Sequence, residues 1–249
     1  MTTTFFAPPD CIADGRIVLP DDEARHAVRA LRHAVGDEIE VVDGAGGWYR
    51  VRLTEAGKSS AAGEVVATER EVGEPAHRLT VGLSTLKNAG RFETFAEKAV
   101  ELGVTEILPL VTERTERARL KPKRLGSMLV AALKQSGRSR LPGLAEPQPL
   151  AAVLSGRTEG LRILCHEAAG PDALLPRVLD RNPAGETTIL VGPEGGFSEA
   201  EVAEAQAAGW AVASLGPRRL RAETAALAAA SAAMLHLSHQ VRNDMASYY

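Results

Sequence analysis

Two neighbouring stretches decide how this chain reads: Leu190-Val191-Gly192-Pro193-Glu194-Gly195-Gly196-Phe197 and, one short helix later, Leu215-Gly216-Pro217-Arg218-Arg219-Leu220-Arg221-Ala222-Glu223-Thr224-Ala225. Each follows a short apolar run and precedes a helical one, which puts both at the carboxyl ends of strands, where open α/β sheets bind ligands. The same alternation extends upstream. Apolar runs at 79–83, 106–111, 161–165, 187–191 and 211–215 predict strands. Between them, Phe92, Phe95, Ala96, Ala99 and Leu102 share a helical face that stops at Gly103. Further helices are predicted from Pro122, over 172–179, from Ser198 with Glu201 completing a capping box, and over 223–241. Two-sided apolar strands alternating with helices predict a parallel sheet covered on both faces.

The first seventy residues follow another pattern. Tyr49, Val51 and Leu53 alternate with Arg50 and Arg52, the period of a half-buried strand, and Asp43-Gly44-Ala45-Gly46-Gly47 supplies a turn before it. Strands at 16–19, 39–42 and 63–68 and a helix over 21–33 complete a small β module. The polar stretch 69–77 reads as a linker. The expected division is a module at 1–72 and an α/β domain at 73–249.

Composition excludes several classes. The 249 residues hold no apolar stretch of membrane-spanning length and only two cysteines, too few for a disulfide framework. Without a signal-peptide pattern at the N-terminus, the chain reads as cytoplasmic. The net charge of −3 hides an asymmetry. Residues 112–141 carry nine basic side chains (Arg114, Arg117, Arg119, Lys121, Lys123, Arg124, Lys134, Arg138 and Arg140) against Glu113 and Glu116, or +7, leaving −10 elsewhere. A clustered positive face on an acidic protein suits a polyanion partner, although a solvated helix gives the same count.

No phosphate-binding P-loop, dinucleotide fingerprint or serine nucleophile elbow is present. His236 and His239 lack partners at ligand spacing, so no metal is expected. Cys165 ends an apolar strand, and a buried, inert thiol is the commoner outcome for such a cysteine. The 192–196 loop lets a ligand approach the main chain without a Cβ in the way, suiting a flat ring with polar edges. Arg218, Arg219 and Arg221 crowd a helix N-terminus, which attracts anions in any case.

The Gly-Pro-Glu-Gly-Gly-Phe loop and the Leu-Gly-x-x-x-Leu-Arg-x-Glu-Thr-Ala loop resemble those of the RsmE-type SPOUT methyltransferases, which methylate N3 of a uridine in small-subunit (16S) ribosomal RNA. Lys98-Ala99-Val100-Glu101-Leu102-Gly103-Val104, Thr112-Glu113-Arg114-Thr115, Gln135-Ser136-Gly137-Arg138 and the segment from His26 to Asp37 extend the likeness over nearly the whole chain. The resemblance implies a knotted parallel sheet, a PUA-like N-terminal barrel, a homodimer and S-adenosyl-L-methionine as cofactor. It places Leu190, Gly192, Glu194, Gly195, Gly196, Leu215, Gly216, Leu220, Arg221 and Ala225 around that cofactor. Arg221, Glu223 and Thr224 become the catalytic candidates, with Glu223 as base, although helix capping explains Glu223 and Thr224 equally well. Arg25, Arg29, Arg32, Arg114, Arg117, Lys134 and Arg138 become the candidates for contact with the RNA or an assembled 30S subunit. Three other readings stay open: a SPOUT enzyme acting on a ribose 2′-hydroxyl, a non-catalytic RNA-binding assembly factor, and an α/β enzyme for a phosphorylated metabolite.

Overall fold

The computed structural model describes residues 3–116, 120–181 and 185–246, with side chains unassigned at 171 and 239–246. The chain divides into two compact units, residues 1–74 with 126–141, and 75–125 with 142–249.

In the first unit, strands β1 (Thr4–Phe6), β2 (Ile12–Ala13), β3 (Arg16–Val18), β4 (Glu38–Val42), β5 (Gly47–Ala56) and β6 (Ala61–Arg70) form one sheet in the order β1-β4-β5-β6-β3-β2. Only the β1–β4 pairing is parallel. Along β5, Tyr49, Val51 and Leu53 turn inward onto Phe5, Ile17, Ile39 and Val41, while Arg50 and Arg52 face water. Asp43 fixes the turn ahead of β5. Its Oδ1 accepts from Ala45 N at 2.7 Å and Gly47 N at 2.8 Å, and its Oδ2 accepts from the Tyr49 hydroxyl at 3.0 Å.

The helix expected over 21–33 is shorter. Helix α1 (Asp21–Arg25) runs into a π-helical turn (His26–Ala30). Leu31 N bonds to His26 O and His33 N to Ala27 O, and Arg32 takes a left-handed φ of 62° that ends the winding.

Residues 126–141, placed in the C-terminal domain by the sequence reading, pack within this first unit. Ser139 N bonds to Val72 O, Gly46 N to Ser139 O and Leu141 N to Gly44 O. Side chains reinforce the pairing through Lys134 with Glu23, Arg138 with Glu74 and Arg140 with Glu71.

The second unit carries β7 (Arg78–Ser84), α2 (Ala89–Glu101), β8 (Glu106–Val111), the start of α3 (Pro122–Ser136), β9 (Gly143–Leu144), β10 (Gln148–Pro149), α4 (Leu150–Gly156), β11 (Leu161–Cys165), α5 (Leu175–Arg181), β12 (Glu186–Val191), α6 (Glu199–Ala207), β13 (Ala211–Ala213) and α7 (Ala222–Ala246). The strand order is β10-β8-β7-β12-β11-β13, with β9 also on β8, and every pairing is parallel.

Both faces are covered. Leu108, Leu110, Leu164 and Leu190 pack on Leu150, Val153 and Leu154 of α4 and on Phe197, Ala205 and Trp210. Because side chains alternate along a strand, Ile107, Ile163 and Ile189 point the other way, toward the side where α7 crosses β7 and β12 with α2 and α5 beside it. The alanines at 226, 229, 230 and 233, with Leu237, make a buried stripe that lets α7 lie close to the sheet. Among the described residues no helix is long and apolar enough to cross a membrane.

Candidate active site

A cavity of about 490 Å³ opens at the carboxyl edge of the parallel sheet, lined by the ends of β11, β12 and β13 and the first turn of α7. Gly192, Glu194, Gly195, Gly196, Leu215, Gly216, Leu220, Arg221 and Ala225 all border it, so the two loops form one pocket.

The glycines are required by close backbone approach. A Cβ on Gly192 would lie 3.0 Å from Gly196 C and Phe197 N. Gly196 turns with φ 69°, its N–H donating to Pro193 O at 2.9 Å. Ser198 then caps α6. Its Oγ accepts from Glu201 N, and the Glu201 carboxylate returns to Ser198 N at 2.8 Å. The other Glu201 oxygen accepts from Glu113 N at 2.8 Å, which ties the segment after β8 to the loop after β12.

Arg114 strengthens that tie. Its Nη1 donates to Gly195 O at 2.6 Å, so this arginine, expected on RNA, sits against the glycine loop at the cavity wall. His166 also lines the cavity. Its Nδ1 accepts from Ala168 N at 3.3 Å, which leaves Nε2 to carry the proton of a neutral ring. Beside it, burial pushes the Cys165 thiol up to about 12, so at neutral pH it is protonated and a poor nucleophile.

Several expected site residues stand elsewhere. Leu190 is buried in the leucine core against α4, one side-chain alternation away from the cavity. Glu223 and Thr224 are not among the cavity-lining residues. Thr224 is exposed on α7, whereas the Glu223 side chain is only 12% exposed, with its Oε1 3.7 Å from Arg91 Nε. Arg138, expected at the RNA backbone, is 3% exposed, and its Nη2 donates to Glu74 Oε2 at 2.7 Å. Lys134 is paired with Glu23. These two cations are held by carboxylates of their own unit, and burial of Arg138 keeps it from a phosphate. Arg25, Arg29 and Arg32 are exposed on the first unit. Arg117 and Arg119 lie outside the described residues.

The sequence reading missed Arg91. It stands on the first turn of α2, whose N-cap Asn88 accepts from Gly90 N at 2.9 Å, and its guanidinium borders the cavity. Nη1 is 3.7 Å from Glu194 Oε1 and Nε is 3.7 Å from Glu223 Oε1. The signal lay in Asn88, which as an N-cap aims the first turn of α2 at the sheet edge. With Arg114, Arg218, Arg219 and Arg221, Arg91 makes five arginines around a pocket that holds two carboxylates, Glu167 and Glu194. Among the described residues no group of three or more His, Cys, Asp or Glu side chains could hold a metal ion.

A two-faced parallel sheet with a glycine-lined, arginine-rimmed pocket at its carboxyl edge defines an α/β protein whose pocket lies where such sheets bind ligands. Comparison with known proteins narrows the class. Residues 73–234 match the family model of the RNA methyltransferase domain, and residues 19–66 match that of the RNA methyltransferase PUA domain. A ribosomal RNA small subunit methyltransferase E from Synechocystis is 31% identical over 221 residues, 87% of this chain and 72% of the relative. The crystal structure of a probable rRNA-methyltransferase from Porphyromonas gingivalis has a TM-score of 0.86 at 32% identity, covering 96% of this chain and 99% of that one. A ribosomal RNA small subunit methyltransferase E from Neisseria gonorrhoeae, bound to S-adenosyl methionine, has a TM-score of 0.80 at 30% identity, covering 93% and 96%. The chain belongs to the RNA methyltransferase family, in its SPOUT form with an N-terminal PUA-like domain.

Proposed function

We propose that this protein methylates N3 of a uridine in small-subunit ribosomal RNA with S-adenosylmethionine as donor. The observation that carries the reading is the single cavity shared by the loops around Glu194 and Arg221. Its volume suits a nucleoside-sized ligand. The backbone of 192–196 forms a cradle that a Cβ at Gly192 would close, Leu215 and Leu220 give an apolar wall, and Glu194 suits a cationic group. When bound, S-adenosylmethionine supplies an electrophilic methyl group on a sulfonium sulfur.

Positioning dominates such a transfer. We assign the N3 proton to Glu223. A carboxylate oxygen buried without a hydrogen-bond partner is costly, and Glu223 Oε2 is in that condition at the edge of the site. Arg218, Arg219 and Arg221 are exposed at the rim without an ion pair to a described residue, and they meet the phosphates flanking the target. Arg25, Arg29 and Arg32 hold RNA, in the role of a PUA-like module spanning about the first seventy residues.

The proposal includes a homodimer, as the resemblance implies. It also includes a trefoil crossing, supported by the return of α7 from the edge beyond β13 to β7 and β12. Action on ribosomal RNA fits a cytoplasmic enzyme.

Incubation of small subunits lacking the modification with labelled S-adenosylmethionine, followed by nucleoside identification, tests the assignment. N3-methyluridine is expected. A 2′-O-methylated nucleoside would move the target to the ribose, and absence of transfer would favour an assembly factor.

A further inference from the structure

Arg91 is held in an unusual way. Glu194 of the glycine loop and Glu223 of α7 each approach its guanidinium to 3.7 Å, outside hydrogen-bond reach. Two carboxylates therefore hold the cation by charge, and among the described residues its five N–H donors have no hydrogen-bond acceptor. The side chain is one-third exposed at 34% and borders the cavity. Beside it, Glu223 Oε2 is buried without a hydrogen-bond partner among the described residues.

We propose that Arg91 is a catalytic residue that donates hydrogen bonds to a ring carbonyl oxygen of the target pyrimidine while N3 loses its proton. The inference rests on the uridine-N3 reading above. When the N3–H bond breaks, the proton passes to the Glu223 carboxylate and the electron pair stays on the ring, where it spreads over the carbonyl oxygens flanking N3. Glu223 becomes neutral in the same step. Negative charge thus moves from one neighbour of Arg91 to another, and the guanidinium stays beside it without reorganising. A fixed donor aimed at charge that develops only in the transition state accelerates the step. Glu194 acts here as a positioning residue, holding the other side of the fork.

The test compares Arg91→Met and Arg91→Lys with wild type in methyl transfer to small subunits, calorimetric affinity for S-adenosylmethionine, and the arginine Nε–H resonances. Arg91→Met should lower kcat about a hundredfold, far more than it lowers donor affinity. Arg91→Lys should recover part of the rate, since it keeps the charge and loses the fork. The Nε–H resonance missing from Arg91→Lys should move when an oligonucleotide bearing the target uridine is added, and stay when that position is abasic. Wild-type kcat in Arg91→Met, parallel loss of kcat and donor affinity, or an unmoved resonance would each overturn the proposal. A wild-type product other than N3-methyluridine would instead overturn the functional reading itself.

Discussion

Glu223 stands in the first turn of α7, where a carboxylate offsets the helix dipole, and we assign it the N3 proton as well. A residue that serves only to cap a helix spends its oxygens on the first-turn amides. Here Oε1 faces Arg91 and Oε2 has no partner. Glu223→Gln should therefore fold normally, bind S-adenosylmethionine, and lose methyl transfer by about a hundredfold or more; an unimpaired rate removes it as the base. Arg138 carries the opposite lesson. In sequence it was one of nine cations, yet its guanidinium is buried on Glu74. Breaking a buried pair from one side costs about 3–5 kcal/mol, so Arg138→Met should lower the urea midpoint sharply. If it changed the salt slope of RNA binding and left stability alone, the burial argument would be wrong. Cys165 gives a third outcome at this scale. With its thiol pushed up to about 12 by burial, native protein at about pH 8 should resist alkylation there until it unfolds, as peptide mapping by mass spectrometry would show.

Elements were legible where local chemistry decides them. Ser198 and Glu201 announced the start of α6, and the capping box is present. Pro122 opens α3, and the runs at 106–111 and 161–165 match β8 and β11 residue for residue. Elements set by tertiary pairing were not legible. β9 and β10 have two residues each, and β10 contains Pro149; such pieces hold only because β8 offers an edge. The seven residues of α4 owe their place to the leucine core beneath them. The π-helical turn after α1 likewise has no sequence mark beyond its unexpected end at Arg32. The Ser198 cap has a calculable share in the loop. Ser198→Ala should cost about 1 kcal/mol in stability, read from denaturant unfolding. Because Glu201 also holds Glu113 N, Glu201→Ala should cost more and weaken donor binding as well. Equal losses for the two variants would show that the tie to the β8 segment contributes nothing.

Over the whole molecule, the pocket could be read from sequence and the distribution of usable charge could not. Paired glycine and arginine loops at strand ends point to one place in any parallel sheet. Which cations remain free depends on contacts many residues apart: Lys134 with Glu23, Arg124 with Glu93, Arg138 with Glu74 and Arg140 with Glu71. Four of the nine cations at 112–141 are held in such pairs, and we assign phosphate contact to the exposed arginines at 218, 219 and 221. Replacing all three by glutamine should reduce the salt slope of RNA binding by about 2, as loss of three phosphate contacts to a single strand requires; an unchanged slope would place the phosphates elsewhere.

The pocket itself is tested most directly by calorimetric titration of S-adenosylmethionine into wild type and Gly192→Val. One site per chain is expected in wild type, and loss of binding in a variant that still melts cooperatively, because a side chain at 192 runs into the backbone at Gly196 and Phe197. Undiminished affinity in Gly192→Val, or no binding by wild type, would contradict the account.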